Sequence, residues 1–210
     1  MKLYDCPGPP SPRRVRIFLA EKGVELEKVI VNIREGEQFN DEFRKINPNC
    51  TVPVLELDDG SRISSIDAIN RYLEEKFPEP PLFGKSPEER ARINDSCHYI
   101  NVNGFMAVAE ALRNSAPRLA HRAITGPHDI EQIAELAERG RERVVYFFKD
   151  MNKQLENQEF IVGDSYSAAD VGAMVVVDFA TGMAKIEMPD GLDNLKRWHE
   201  KVAARPSASA

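Results

Sequence analysis

The stretch Asn47-Pro48-Asn49-Cys50-Thr51-Val52-Pro53-Val54-Leu55 constrains the fold of this chain more than any other. Proline has no N–H group for a β-ladder, so Pro53 suits only the start of the short apolar strand that follows it. A cis bond between Val52 and Pro53 would turn the chain sharply and leave the Val52 backbone groups facing outward. Outward-facing backbone groups can pair with an extended peptide. The stretch is therefore either a backbone clamp for a small peptide or an ordinary turn before an edge strand.

Composition and charge restrict the class of protein. Of the 210 residues, 42% are hydrophobic and 30% are charged, as is usual for a globular protein with a substantial core. The net charge of -6 argues against a nucleic-acid-binding surface. The basic residues Arg13, Arg14 and Arg16 are expected on a solvated helix face or in salt bridges.

The cysteines and the apolar segments bear on location. Cys6, Cys50 and Cys97 are an odd number without paired spacing, which predicts a reducing compartment. No Cys and His residues have metal-ligand spacing, so no metal is expected. The N-terminus resembles a strand rather than a signal peptide, and no apolar run approaches 20 residues. We therefore expect a cytoplasmic protein that binds neither membrane nor nucleic acid.

The first part of the chain predicts the element order βαβαββα. Ser11 is expected as the N-cap of the first helix, with Pro12 at its first position. Two strands separated by a helix favour parallel pairing, and Asp59-Gly60 predicts a hairpin turn. The predicted strands cover residues 2–5, 25–31, 54–57 and 62–63, and the later helices cover residues 37–46 and 66–77.

The remainder predicts helices only. A proline-rich connector at residues 79–87 separates a first domain, residues 1–78, from a second, residues 88–210. Ser86 with Glu89, and Ser167 with Asp170, have the spacing of capping boxes. Between them, a long helix is expected to begin near Asp129, and the last four residues, 207–210, are expected to fray.

The order of these motifs resembles the glutathione transferase family, in its cytosolic, bacterial type. The resemblance covers nearly the whole chain and is closest to a bacterial and fungal branch without a fixed catalytic tyrosine. It implies a thioredoxin-like domain followed by an all-helical domain, a homodimer, and glutathione as co-substrate. The segments that carry it are Ser11-Pro12-Arg13-Arg14-Val15-Arg16, the 47–55 stretch, Asp59-Gly60, Ala68-Ile69-Asn70-Arg71-Tyr72-Leu73 and Ser167-Ala168-Ala169-Asp170.

The resemblance also assigns roles to residues. Ser11, with Tyr4 as the second candidate, would donate a hydrogen bond to the glutathione sulfur, and the N-terminus of the first helix would stabilise the thiolate. Thr51, Val52 and Pro53 would form the clamp, and Ser64 or Ser65 would hold the γ-glutamyl end. Other expected contacts are Asn40 or Lys45 at the glycine carboxylate, and Tyr99, Asn103 and Met106 at the second substrate.

Two departures from the family leave alternatives open. Members usually carry Glu/Asp-Ser/Thr where this chain has Ser65-Ile66, so the carboxylate partner of the γ-glutamyl amine is lost or moved. The histidine that aids the thiol in the nearest branch is absent from residues 112–117. The conjugating enzyme therefore has two rivals: a non-catalytic binding or regulatory protein on the same fold, and thiol transfer through Cys6.

Overall fold

The computed structural model describes every residue from Met1 to Ala210 and divides them into two compact units. The first unit comprises Met1–Pro80 with Ile124–Asp129 and Ala210, and the second comprises Pro81–Ala123 with Ile130–Ser209. The elements of the first unit are β1 (Lys2–Asp5), α1 (Pro10–Glu21), β2 (Glu27–Ile30), a 3₁₀ turn (Glu37–Phe39), α2 (Asp41–Ile46), β3 (Val54–Glu56), β4 (Arg62–Ile63) and α3 (Ile66–Lys76).

The four strands form one mixed sheet in the order β2-β1-β3-β4. β1 and β2 are parallel because α1 carries the chain back between them, whereas β3 is antiparallel to both β1 and β4. The predicted thioredoxin-like fold and the order βαβαββα are confirmed. One face of the sheet packs Tyr4, Val31, Phe43 and Val54 into a buried cluster.

Helix α1 begins earlier than its predicted cap. It starts at Pro10 with Pro9 as the N-cap residue, and no side chain caps it. The prediction that Ser11 is the N-cap is therefore wrong, and Ser11 lies in the first turn. The reason is that proline, with φ fixed near the helical value, is well suited to the first helical position, so Pro10 begins the helix before Ser11.

The second unit is all-helical, as predicted. Its elements are α4 (Pro87–Tyr99), α5 (Met106–Arg113), α6 (Ala134–Gln154), α7 (Ala168–Asp178) and α8 (Asp193–Ala203), with π-helical turns at Ile100–Phe105 and Phe179–Met183 and 3₁₀ turns at Pro117–Leu119, Leu155–Asn157 and Pro206–Ser209. No helix combines the length and the apolar content needed to cross a bilayer.

Asp170 fixes the centre of the helical unit. Its side chain is fully buried and accepts hydrogen bonds from the Ile161 N–H, the Ser167 N–H and hydroxyl, and the Trp198 indole at 2.9–3.0 Å. Burial raises the pKa of this carboxyl group, while the four donors act in the opposite direction. Both predicted capping boxes are present. Asp170 is thus a structural residue that joins α7, α8 and the loop before them.

The start of α6 and the C-terminal segment also differ from the sequence prediction, because distant groups decide them. The long helix α6 begins at Ala134 rather than near Asp129. Backbone hydrogen bonds between Ala123 and Ile130, and between Ile130 and His121, hold the preceding segment in an extended form. At the C-terminus, Ser207 and Ala208 are buried, and the segment that was expected to fray forms a 3₁₀ turn.

Candidate glutathione site

The sheet register brings the predicted clamp, the start of α1 and the start of α3 to one edge. Tyr4 pairs with Val54 across β1 and β3, so continuing that register by two residues sets Cys6 opposite Val52. Leu55 pairs with Ile63 across β3 and β4, so continuing it sets Ser65 opposite Pro53. The chain segment before β3 therefore lies between the residues that lead into α1 and those that open α3.

The clamp loop has the geometry that its sequence indicated. The Val52–Pro53 peptide is cis, and Val52 makes no hydrogen bond to any other group of the protein. The buried Asn47 holds the loop: its Nδ2 donates to the Thr51 carbonyl at 2.8 Å and to the Thr51 hydroxyl at 2.9 Å, and its Oδ1 accepts from the Asn49 N–H at 3.1 Å. The Val52 backbone is therefore available to pair with an extended ligand.

Asn47 and Cys50 are parts of this loop for which no role was predicted from the sequence. Cys50 is buried, has a φ of 54°, and its thiol points at the Pro48 carbonyl at 3.6 Å. A positive φ is uncommon in residues other than glycine, and the Asn47 hydrogen bonds on either side of Cys50 hold it there. The signal in the sequence was the Asn-Pro-Asn run, because asparagine side chains commonly bond backbone groups two residues ahead.

Ser11 is the only backbone donor at the start of α1. The first four N–H groups of a helix have no partner within it. In α1 the residues with these positions are Pro9, Pro10, Ser11 and Pro12, and three of them have no N–H. The Ser11 hydroxyl, which is partly exposed, makes no hydrogen bond within the protein. Ser11 thus presents one N–H and one hydroxyl, at the positive end of the helix dipole.

A buried ion pair lies behind the loop that leads to Ser11. The Arg16 Nη1 atom donates to the Asp5 carboxylate at 2.7 Å and to the Cys6 carbonyl at 3.0 Å, and Nη2 donates to the Pro7 carbonyl at 3.0 Å. The Cys6 N–H donates to the same Asp5 oxygen at 2.8 Å. Arg16 and Arg14 are both buried, so of the two expectations for these arginines the solvated face does not hold for them, whereas the salt bridge holds for Arg16.

At the other flank, α3 opens without a side-chain cap. Ser64 and Ser65 are exposed, Ser65 is the N-cap residue, and its hydroxyl makes no capping hydrogen bond. The N–H groups of the first turn of α3 therefore lie next to two exposed serines at this edge, and the free N–H groups of a helix N-terminus suit a carboxylate. Asp67, also in the first turn, is the nearest acid in sequence to these serines.

The remaining predicted contacts have less support. Asn40 is the N-cap residue of α2, and its exposed side chain makes no cap bond. The Lys45 amine bonds Glu42 at 2.6 Å on the same exposed helix. Tyr4 is buried, and its hydroxyl donates to Glu56 at 3.3 Å, toward the sheet end opposite Cys6. Ser11 is therefore better placed than Tyr4 to reach a thiol.

The three residues predicted for the second substrate do not share one cavity. Tyr99 donates to Asp150 at 2.6 Å and lines a cavity of about 210 Å³ in the helical unit. Burial and the Asp150 carboxylate raise the pKa of Tyr99 to about 12. Asn103 lies in the π-helical turn, and Met106, which is 52% exposed, begins α5. Neither lines the cavity, whose other residues are Asp95, Ser96, Ile100, Met151, Gln154 and Ile161.

A second cavity also lies away from the predicted residues. It has a volume of about 330 Å³ and lies between the segment after α6 and α8. It contains no residue predicted to bind glutathione or the second substrate, and its lining is largely polar. The lining residues are Glu156, Asn157, Gln158, Glu159, Arg197, Trp198 and Lys201.

A thioredoxin-like unit followed by an all-helical unit defines the glutathione transferase class of fold, and comparisons with known proteins identify the family. The model described as "Glutathione S-transferase, N-terminal domain" matches residues 10–76, and "Glutathione S-transferase, C-terminal domain" matches residues 123–210. Glutathione S-transferase 2 of Saccharomyces cerevisiae is 32% identical over 210 residues, covering 99% of this chain and 87% of that protein.

Solved structures agree with these matches over the full length. A glutathione S-transferase domain-containing protein of Marinobacter aquaeolei VT8 has a TM-score of 0.91 and 37% identity, covering 99% of each chain. Gtt2 from Saccharomyces cerevisiae has a TM-score of 0.90 and 31% identity, covering 99% of this chain and 98% of that one. The chain belongs to the glutathione S-transferase family, in its fungal and bacterial Gtt2-type branch.

Proposed function

We propose that the chain is a glutathione transferase that joins the glutathione sulfur to a small, hydrophobic electrophile. The observation that carries the proposal is the shared sheet edge. There the Val52 backbone groups have no partner within the protein, and the start of α1 follows shortly after Cys6, which lies opposite Val52. Val52 would pair with the cysteinyl part of glutathione as an added strand does. Ser64 and Ser65, with the first turn of α3, would hold the γ-glutamyl carboxylate.

The proposed chemistry needs a thiolate and little else from the protein. The thiol of bound glutathione loses its proton to solvent, and the Ser11 hydroxyl and N–H then donate to the sulfur. A hydrogen bond to the charged form favours that form, so the pKa of the thiol falls. The sulfur lone pair attacks the electrophilic carbon, a new carbon–sulfur bond forms, and the leaving group departs with its electron pair.

Assembly and location are also part of the proposal. We place the protein in the cytoplasm as a homodimer, following its family. All three cysteines are free in the structure, consistent with a reducing compartment. Cys6 is only 8% exposed, which disfavours thiol transfer through its sulfur. The named transferases among its relatives favour an enzyme over a non-catalytic binding protein.

Calorimetric titration of glutathione into the wild type and a Ser11→Ala variant tests the proposal. The pKa of the bound thiol is measured in parallel from thiolate absorbance. A hydrogen bond to a charged group contributes about 1.5–3 kcal/mol, so Ser11→Ala should raise that pKa by about 1–2 units. At a pH well below the pKa of the bound thiol, where the thiol is protonated in both proteins, the affinity for glutathione should change little, because the clamp and the α3 contacts remain.

Ser61→Ala is the matched control for this experiment. Ser61 lies in the turn between β3 and β4, where its hydroxyl donates to Asp59 at 2.6 Å, away from the site edge. This variant should leave both the affinity and the thiol pKa as in the wild type. If the wild type binds no glutathione at millimolar concentration, the enzyme proposal fails. If it binds but Ser11→Ala leaves the thiol pKa unchanged, Ser11 is not the donor.

A further inference from the structure

We propose that Arg16 is a positioning residue: it fixes the Cys6–Pro9 segment and thereby sets where Ser11 meets the glutathione sulfur. The inference rests on the proposed function for its chemical consequence, but the structural part stands on the contacts alone. Arg16 does not face the ligand itself. Its guanidinium is buried behind the segment, with Asp5 as its charge partner.

Arg16 and Asp5 supply the polar contacts that hold this segment. The Cys6 and Pro7 carbonyls both accept from Arg16, and the Cys6 N–H donates to Asp5. Apart from the start of α1 at Pro9, no backbone hydrogen bond ties the Cys6–Pro9 segment to another part of the chain. Two of the four residues are prolines and have no N–H, and a third is Gly8, whose backbone is the most permissive. The segment therefore depends on this ion pair for its conformation.

The geometry requires arginine rather than any cation. One planar guanidinium reaches three oxygens, on the Asp5 side chain and on two successive carbonyls, through two of its nitrogens. A lysine amine is a single point donor on a flexible stem and cannot reproduce that fork. Replacement by lysine would keep the charge beside Asp5 and release at least one of the two carbonyls. The conservative variant thus separates the charge from the shape of the side chain.

The segment is placed where a small shift matters. Cys6 lies opposite Val52 when the register of β1 and β3 is continued, and Ser11 follows only two residues after Pro9. A displacement of the segment would move Ser11 while the clamp loop, held by Asn47, keeps its own position. Misplacement of a catalytic group by about 1 Å can reduce a rate by about 100-fold. We therefore expect catalysis to depend on Arg16 more strongly than ligand binding does.

Lys22 offers a matched control on the same helix. It is the buried cation at the other end of α1, where its amine bonds Glu74 at 2.5 Å and the Pro80 carbonyl at 2.6 Å. Lys22→Met therefore removes a buried ion pair without touching the Cys6–Pro9 segment. Removal of one partner of a buried pair is strongly destabilising, so each variant must first be shown to be folded by its thermal transition.

The experiment compares Arg16→Lys, Asp5→Asn and Lys22→Met with the wild type. Affinity for S-methylglutathione, which lacks a thiol proton, reports on the clamp, whereas kcat and the pKa of the bound glutathione thiol report on Ser11. Arg16→Lys should lower kcat by about 10- to 100-fold and raise the thiol pKa. Its affinity for S-methylglutathione should stay within about threefold of the wild type, because the clamp is unchanged.

Asp5→Asn and Lys22→Met separate the position of the Cys6–Pro9 segment from the charge of the ion pair and from a general loss of stability. Asp5→Asn keeps an oxygen that accepts from Arg16, so its kcat should stay closer to the wild type than that of Arg16→Lys. Equal losses in these two variants would indicate an electrostatic role and would overturn the proposal. So would a kcat for Arg16→Lys within twofold of the wild type, equal losses of kcat and affinity in that variant, or a selective loss of kcat in Lys22→Met.

A measurement without ligand keeps the inference separate from the proposed function. Cys6 and Cys50 are both buried, one in the Arg16-held segment and one in the clamp loop. Iodoacetamide labelling, followed by mass spectrometry, gives the alkylation rate of each cysteine in the same sample. Arg16→Lys should speed labelling of Cys6 but not of Cys50. Unchanged labelling of Cys6 overturns the positioning role, even if the wild type binds no glutathione.

Discussion

Replacement of Asn47 by alanine should weaken glutathione binding although Asn47 is not expected to touch the ligand. The Asn47 side chain makes three hydrogen bonds in the clamp loop, at 2.8, 2.9 and 3.1 Å. A neutral hydrogen bond contributes about 1 kcal/mol net, and the two from Nδ2 share one donor group, so the loop loses about 2–3 kcal/mol. Fewer hydrogen bonds then stabilise the uncommon backbone conformation of Cys50, whose φ is 54°.

This loss should appear chiefly as weaker binding. If the variant loop adopts the clamp conformation only part of the time, the apparent Kd rises by the inverse of that fraction. A loss of 2–3 kcal/mol corresponds to a factor of about 30 to 150. The thiol pKa of the glutathione that does bind should match the wild type, because Ser11 and α1 are unaffected.

The assay is calorimetric titration with S-methylglutathione at a temperature well below the thermal transition of each variant. Asn157→Ala is the control, because Asn157 is an exposed asparagine in the second unit whose side chain makes no hydrogen bond. The Asn157→Ala variant should bind as the wild type does. An Asn47→Ala variant that is folded and binds within twofold of the wild type would refute the reasoning, since Val52 would then not depend on the loop.

Two further predictions concern the helical unit. Asp170→Ala should lower the free energy of unfolding by at least about 3 kcal/mol, because the Ile161 and Ser167 N–H groups and the Trp198 indole lose a buried acceptor. Urea denaturation measures this free energy, and a loss below about 1 kcal/mol would contradict the prediction. Tyr99 should ionise near pH 12 in a spectrophotometric titration, since burial and Asp150 favour its neutral form. Its raised pKa adds stability below pH 10 that disappears as the pH rises through 12, and Asp150→Asn should lower that pKa.

Much of the candidate site follows from local sequence. The proline at the start of an apolar strand, the serine and prolines before a helix, and the Asp-Gly turn each restrict the backbone within a few residues. These restrictions suffice to predict the order of elements and both capping boxes, which the structure contains, whereas at Pro53 they left a backbone clamp and an ordinary turn both open. Because each signal is short-range, it is present in the chain before any tertiary contact forms.

The roles of Arg16 and Asn47 were not predictable in the same way. Arg16 was expected either on a solvated face or in a salt bridge, and the sequence did not indicate its partners, Asp5 and two carbonyls. Tyr99 meets Asp150 across 51 residues of sequence, which no local pattern indicates. Contacts of this kind depend on how elements pack, and packing is a property of the whole unit.

The sequence by itself determined which elements form and in what order, because helix caps, prolines and apolar periodicity act over one or two turns of chain. The tertiary structure alone decided where α6 begins, that Ser207 and Ala208 are buried, and that Ser11, Val52 and Ser65 lie toward one edge of the sheet. That edge results from strand register, which across β1 and β3 pairs residues about 50 positions apart. Register is set by the burial of one sheet face, so it becomes definite only when the core is packed.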